Sequence, residues 1–456
     1  MPLLVRDYNF YKTLLMLTVP LIMQSVLSTS VSFVDNIMVG QLGETAIAGV
    51  MAANQVHSIL AALCFGIATA LVVIAAQYWG KKDMESVKAV ASIGLMFAVL
   101  LGLVLSAAVI FAPGAVLRIF TDDAGVIYEG VRYIRIIAFS YLFFCISQVL
   151  VGTMRCVEVV RIGVVVSLAT LIISVSLNYA LIFGNWGFPA LGIEGAAIAT
   201  LAARTVEVFI MLVYVRFIDK RLKIRFWELL SVNRQLLGDF LRYGLPVVGG
   251  ILSWGIVGVL KIAILGRLGE AVMAASSIAG MLYTLVGLVT GGIAGASGVI
   301  IGKTVGSGDY DLVKQYSRTL QVIFVVIGLI GTLGMLALRD VFISLYNFTG
   351  DTQIIARQFM TVLAVTVVFT AYHASCFQGI IRAGGDTKFG LIVNSVCGYL
   401  QVLPLTFLAA FVFEWSPWVV MLCIYSDQFY KWIIALIKTN RFKWIKNLTR
   451  DSVQSA

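Results

Sequence analysis

Residues 36–50 read NIMVGQLGETAIAGV and residues 262–276 read IAILGRLGEAVMAAS, so the same Gly-x-Leu-Gly-Glu turn recurs between two apolar runs. Working outward from Gly40 and Gly266, the match extends without a gap over residues 19–89 and 245–315, with 18 identities in 71 positions. Pro20 falls on Pro246, Gly66-Ile-Ala68 on Gly292-Ile-Ala294, and Gly80 and Asp83 on Gly306 and Asp309. One residue further out of register, Gly152 and Arg155 fall on Gly379 and Arg382. Shared apolar composition scatters identities over Leu and Val; it does not align Pro, Gly, Glu and Asp. The chain is an internal duplication.

What is duplicated follows from composition. Of 456 residues, 60% are AVILMFWYC and 12% are charged. Counting the 42 Gly in place of the 17 Tyr brings the apolar share to about 65%, against roughly 45–50% in soluble domains. A soluble globule has no interior large enough for that surface. The reading is an all-α polytopic membrane protein, which excludes a soluble enzyme and a nucleic-acid-binding domain despite the net charge of +10. The six cysteines are scattered, with no Cys-x-x-Cys pair, and there are only two histidines. That pattern gives no metal site, and the cysteines read as small apolar packing residues. The first apolar stretch carries Pro20 and outruns a signal h-region, so it is taken as a true span.

A bilayer-crossing helix needs about 20 mostly apolar residues. Twelve such runs are predicted, over 13–38, 46–78, 89–112, 130–151, 162–184, 194–215, 245–265, 271–301, 318–338, 355–380, 388–412 and 417–437. With both termini and the loops after spans 2, 4, 6, 8 and 10 on one side, that side holds 24 of the 33 basic residues. The opposite side holds only Arg118, Arg267, Arg339 and Arg357. By the positive-inside rule both termini are expected in the cytoplasm, at the cell membrane. Residues 1–215 form an N-terminal six-helix lobe, 216–242 a cytoplasmic linker, and 243–456 a C-terminal lobe with a basic tail. In the linker, Phe226, Trp227, Leu230, Leu236, Leu237, Phe240 and Leu241 alternate with basic residues, as in a helix lying on headgroups. Six spans return the chain to its starting side, so the lobes share one orientation and are expected to be related by an axis along the membrane normal. Parallel repeats of this kind are a transporter design. Pro20 and Pro246 read as matched hinges, each freeing a backbone carbonyl within a helix.

Three stretches resemble the multidrug and toxic compound extrusion (MATE) family. Val34-Asp-Asn-Ile-Met-Val-Gly-Gln-Leu-Gly43 is similar to the end of its first helix. Asn178-Tyr-Ala-Leu-Ile-Phe-Gly184 followed by Gly192-Ile-Glu-Gly-Ala-Ala-Ile-Ala-Thr200 is similar to its fifth-to-sixth helix signature, and Gln378-Gly-Ile-Ile-Arg-Ala-Gly-Gly-Asp-Thr387 to the start of its second-half signature. The resemblance covers nearly the whole chain. It implies a secondary antiporter that exports amphipathic organic cations, drugs or toxic metabolites, in exchange for H⁺ or Na⁺ by alternating access.

Ionisable groups inside the bilayer cost about 2.5–3.5 kcal/mol each on insertion scales, so each needs a reason. Asp35 sits 15 residues after Pro20. A carboxylate there can be neutralised by a proton or by Na⁺, and the resemblance makes it the coupling aspartate of the first lobe. Asn178 and Thr200 are uncharged oxygen donors that with Asp35 suit a hard cation. Where the archaeal branch of the family has a second carboxylate, this chain has Ile182, which leans the coupling toward protons. Another branch has second-lobe acids where this chain has Trp254 and Ala371, so the second lobe is not expected to hold the coupling cation. Secondary candidates are Glu207, Lys261, Tyr141, His373 and Asp427. Arg204 with Glu207, and Asp427 with Lys431, read as intrahelical ion pairs, the latter near the cytoplasmic end of span 12. Lys261 occupies the repeat position of Asp35 and reads as its partner across the lobes, as a buried amine that stays neutral, or as a snorkelling side chain. His57 and His373 read as hydrogen-bonded to a neighbouring helix. Trp254, Met51, Met281, Tyr283 and Phe369 are candidate cavity-lining side chains for flat hydrophobic cations.

No P-loop or nucleophile elbow occurs, so neither ATP-driven transport nor enzymatic chemistry is expected. No cofactor is called for beyond the coupling ion. The expected partners are a small amphipathic substrate and membrane lipid, with no nucleic acid and the chain a monomer. The alternative is a flippase of the same superfamily moving a lipid-linked saccharide. That activity needs several basic residues facing the other lobe, for which Arg132, Arg135 and Arg204 are the only candidates.

Overall fold

In hydrocarbon a backbone amide has no water to bond, so long apolar runs close into helices that satisfy their own N–H and C=O groups. The computed structural model describes residues 4–224, 228, 233–346 and 350–450, and among them are twelve helices long and apolar enough to cross a membrane, and no strand. They are α1 (Tyr8–Gly40), α2 (Glu44–Gly80), α3 (Met84–Phe111), α4 (Ala124–Cys156), α5 (Arg161–Phe183), α6 (Ile193–Ile218), α7 (Arg234–Gly266), α8 (Glu270–Gly306), α9 (Tyr310–Ser344), α10 (Gly350–Ile381), α11 (Thr387–Val412) and α12 (Pro417–Asn440). Each overlaps one predicted span. Most run several residues past it, because a helix of 33 residues is about 50 Å long and its polar ends outreach the hydrocarbon. The chain is a multi-pass membrane protein.

The duplicated residues do the same work twice. Gly43 and Gly269 both have φ near +110° (112° and 108°), a conformation that glycine adopts without strain. Each turns the chain into the next helix, where Glu44 or Glu270 lies in the first turn against the positive end of the helix dipole. Asp83 and Asp309 cap α3 and α9, accepting hydrogen bonds from the backbone N–H of Ser86 and Leu312, both at 3.0 Å. Gly152 of α4 faces Ala68 of α2, where an added Cβ would meet the Ala68 Cβ at 3.3 Å. Gly379 of α10 faces the equivalent Ala294 of α8, where a Cβ would come within 2.7 Å of the carbonyl oxygen. Each repeat needs a glycine there because two helix backbones nearly touch.

The structure divides into two compact units. One comprises Met23–Trp79 and Asp83–Gly244; in it α4 packs against α3 and α6, and α6 against α5. Its core includes the fully buried Ile134, Tyr141 and Leu150 of α4. The other comprises Met1–Ile22, Gly80–Lys82 and Leu245–Ala456; in it α10 packs against α8, α9 and α12 around Phe359, Met360 and Leu363. The change from one unit to the other falls inside α1 two residues past Pro20, and inside α7 one residue before Leu245-Pro246.

Two features differ from the sequence reading. Of the linker stretch, 225–227 and 229–232 lie outside the described residues, so the headgroup-helix reading of Phe226, Trp227 and Leu230 falls there. From Arg234 on, the stretch is the start of α7. Leu236 and Phe240, one turn apart, are buried, with Phe240 stacked on Phe97 at 5.5 Å, so that apolar face packs on protein. The second feature is in α12, which is broken. Pro417–Ile424 and Gln428–Asn440 are separate helical pieces joined by a turn through Tyr425–Asp427. Asp427 and Lys431 therefore sit mid-span beside this break, not near the end of the helix.

Candidate functional site

Period 3.6 puts residues four apart on one helix face, so Ser174 and Asn178 of α5 point the same way. Both donate to a single oxygen of Asp35, Oδ1: the Ser174 hydroxyl at 2.9 Å and the Asn178 amide nitrogen at 2.6 Å. Asp35 Oδ2 has no hydrogen bond from the described residues. Asn178 is 1% exposed, and its amide oxygen is buried without a partner. A buried carbonyl oxygen left unmade is costly. Here it adds a second acceptor beside a carboxylate, in a setting where a proton or a hard cation supplies what the protein does not.

Thr200 does not join this group. Its hydroxyl donates to the Ala196 carbonyl one turn back at 3.1 Å, the usual fate of a threonine within a helix. Ser174 takes its place. The signal for it was the spacing to Asn178, one turn earlier on the same face.

Glu207, 3% exposed, is fully engaged. Arg204 Nη1 lies 2.6 Å from Oε2, the Ser147 hydroxyl donates to Oε1 at 2.7 Å, and the Gln148 amide approaches Oε1 at 3.4 Å. Arg204 also lies over the Phe144 ring, 4.9 Å from its centroid. The pair is neutral as a unit and holds α4 to α6. His57 packs its ring on Phe144 and Tyr141, at 5.0 and 6.0 Å, and the buried Tyr141 hydroxyl has no hydrogen-bond partner.

The second polar centre gathers at the α12 break. Asp427 Oδ2 takes Lys431 Nζ at 2.6 Å, and Oδ1 takes the Gln428 amide at 2.7 Å. Lys431 also donates to Asn394 Oδ1 of α11 at 3.0 Å. A chain runs on: the Tyr283 hydroxyl donates to Thr370 at 3.1 Å, and the Thr370 hydroxyl to Gln428 Oε1 at 3.0 Å. Lys261 lies over the Tyr425 ring, 5.4 Å from its centroid. Tyr425 is the neighbour that the structure gives Lys261 within its own unit. His373 donates from Nδ1 to its own helix at the Phe369 carbonyl, 2.9 Å away. The aromatic ring of Phe369 packs on Phe429 and Trp432, so it is a packing residue of α10 against α12. Of the other cavity candidates, Trp254 is 73% exposed, Met51 and Met281 are also exposed, and Tyr283 is half-buried beside Tyr425.

Twelve membrane-spanning helices, with a carboxylate held inside the first, make this a polytopic membrane protein with a polar centre between its helices. The comparisons agree. The MatE family profile matches residues 20–180 and 246–408, one match in each repeat. A probable multidrug resistance protein NorM of Rhizobium meliloti (strain 1021) is 30% identical over 325 residues, which is 70% of this chain and 69% of that protein. A probable multidrug resistance protein YoeA of Bacillus subtilis (strain 168) is 23% identical, covering 88% of this chain and 87% of that one. Among solved structures, a MATE protein in complex with MaL6 superposes with a TM-score of 0.85 at 19% identity, covering 94% of this chain and 95% of that one. The eukaryotic MATE transporter AtDTX14 gives 0.82 at 22% identity, covering 96% and 97%. The chain belongs to the MatE family.

Proposed function

We propose that this protein is a multidrug exporter of the cytoplasmic membrane, with both termini in the cytoplasm, that moves amphipathic organic cations outward by alternating access in exchange for an inward-moving cation. The names of the relatives support drug efflux as the activity. The observation that carries the coupling is Asp35, whose carboxylate meets Ser174 and Asn178 beside an unpartnered buried amide oxygen. Three kinds of oxygen gathered there, with Ile182 filling the place of a further acid, favour a proton over Na⁺, because Na⁺ prefers a fuller oxygen shell. Proton binding neutralises the carboxylate, so the lobe can reorient without carrying a bare charge through hydrocarbon.

Pro20 and Pro246 support a hinge in α1 and α7. Each removes one backbone hydrogen bond within two residues of the point where the helix passes from one compact unit to the other. Against the flippase reading, Arg132 is matched by Glu129 and Glu194, and Arg204 by Glu207, which leaves only Arg135 of the three candidate arginines without an acid among the described residues. We take the chain to work as a monomer.

The test is ethidium efflux from vesicles under separately imposed pH and Na⁺ gradients. Efflux driven by the pH gradient alone is the expected result. Efflux that responds to neither gradient overturns the antiport reading.

A further inference from the structure

The charged groups of the second-lobe centre do not balance. Asp427 is committed to Lys431 at 2.6 Å and to Gln428 at 2.7 Å, and that ion pair is further satisfied by Asn394. Lys261 is left over. Among the described residues its Nζ has no hydrogen-bond acceptor and no ion-pair partner; its neighbours are the π face of Tyr425 and, at longer range, Asp427 and Lys431. His373, the other titratable group near this pair, spends its Nδ1 proton on the Phe369 carbonyl. Tyr283, Tyr425 and Tyr430 add only hydroxyl groups. Two lysines, Lys261 and Lys431, thus share one carboxylate, Asp427, and Lys431 holds it.

The repeat sharpens this. At the shared register Lys261 stands where the first lobe has Asp35. The first lobe thus presents a carboxylate with donors arranged around it, and the second presents an ammonium with an aromatic face under it and no acceptor. An unmatched ammonium inside a membrane protein is costly, and an anion that meets it removes that cost. Three donors on a compact ammonium bind a carboxylate as a point charge. Half-buried Tyr283 and Tyr425, 5.5 Å apart in an edge-on pair, offer apolar surface for the rest of such a molecule.

We propose that Lys261, with Tyr425 and Tyr283, is a recognition site for the carboxylate of an amphipathic substrate. This rests on the transport reading above, and the test keeps the two apart. A rhodamine bearing a free carboxylate and its methyl ester form a matched fluorescent pair. Ester efflux by the wild type reports on transport; the ratio of carboxylate to ester reports on the site. Lys261→Met should lower that ratio about tenfold, the worth of one hydrogen bond to a charged group, and Lys261→Arg should largely restore it.

Equilibrium binding of both dyes to the purified wild type gives a second reading that depends on neither variant folding nor on transport. The carboxylate dye should bind more tightly than its ester. Excess acetate that weakens the first and spares the second shows that a free carboxylate also fits. No effect of acetate, with the preference intact, shows that the amphipath must deliver it. Equal binding of the two dyes by the wild type, or an unchanged ratio in Lys261→Met, overturns the proposal.

Discussion

Replacing Asp35 with asparagine separates charge from shape at the coupling site. The amide is isosteric and keeps an oxygen where Oδ1 now accepts from Ser174 and Asn178 at 2.9 and 2.6 Å. Each of those bonds changes from charge-assisted, about 1.5–3 kcal/mol, to neutral, about 0.5–1.5 kcal/mol. The two together lose roughly 2–3 kcal/mol, a factor of about 30 to 150 in any equilibrium that depends on the ionised form. The coupling loss is larger still, since an amide neither takes up a proton nor balances a cation. Gradient-driven ethidium efflux by Asp35→Asn should therefore fall to the rate seen with no gradient. Ethidium binding by the purified variant should stay within a few-fold of wild type, and the variant should stay folded, its unfolding midpoint lowered by no more than the two weakened hydrogen bonds account for. Efflux at the wild-type rate under a pH gradient refutes the coupling role. A collapse of ethidium binding with the fold intact also refutes it, since Asp35 would then be a substrate contact.

Ser174→Ala removes one of the two donors to Asp35 and should cost about 1.5–3 kcal/mol of support for the carboxylate, read as a displaced pH profile of efflux with a normal maximal rate; a superimposable profile counts against the site. Asp83→Ala and Asp309→Ala each delete an N-cap worth about 1 kcal/mol and, lying in different units, should lower thermal stability in detergent additively; a double variant no less stable than either single one would show the caps are idle. Gly379→Ala pushes a methyl to 2.7 Å from the Ala294 carbonyl oxygen, so it should cost about 1–3 kcal/mol by overpacking and lower both yield and unfolding midpoint, whereas unchanged values would mean that α8 and α10 separate freely.

Where the sequence was informative, the signal was a backbone requirement or a length. Gly43 and Gly269 were visible as a repeat because positive φ at that turn tolerates little else, and Asp83 and Asp309 because a helix start rewards one side-chain type. The twelve spans were legible because apolar length is what a bilayer reads. The break in α12 is not legible: Tyr425-Ser426-Asp427 contains neither Gly nor Pro, and it is the tertiary bonds of Ser426 with Gln401, Gln428 with Thr370 and Lys431 with Asn394 that make up for the interrupted helix. The motif position of Thr200 points to a ligand, but its hydroxyl turns back to Ala196. For Ser174 the sequence offers only its place one turn before Asn178 on the same face; that it meets Asp35 is set by the packing of α5 on α1.

The two lobes share a scaffold and differ in chemistry, and the difference lies in side chains that the scaffold does not restrain. A glycine set close against a facing helix leaves little room for a side chain, and Gly152 and Gly379 are glycine in both copies. The position one turn and a residue before Gly40 or Gly266 faces no such limit, and there one copy carries Asp35 and the other Lys261. Each charge has drawn a different shell. Asp35 is met by a serine and an asparagine of α5. Lys261 is met by an aromatic face from a broken α12, whose single carboxylate is already spent on Lys431. Opposite charges at matched positions would let one cycle act on two ligands of opposite sign, with a cation released from one lobe and an anionic group held by the other. If that division holds, swapping the charges in Asp35→Lys with Lys261→Asp cannot restore transport, because neither shell offers the reversed charge what it needs: Asn178 and Ser174 donate where an ammonium needs acceptors, and Tyr425 presents a π face where a carboxylate needs donors. Efflux by the double variant at more than a small fraction of the wild-type rate would show that the pair acts only through its mutual charge.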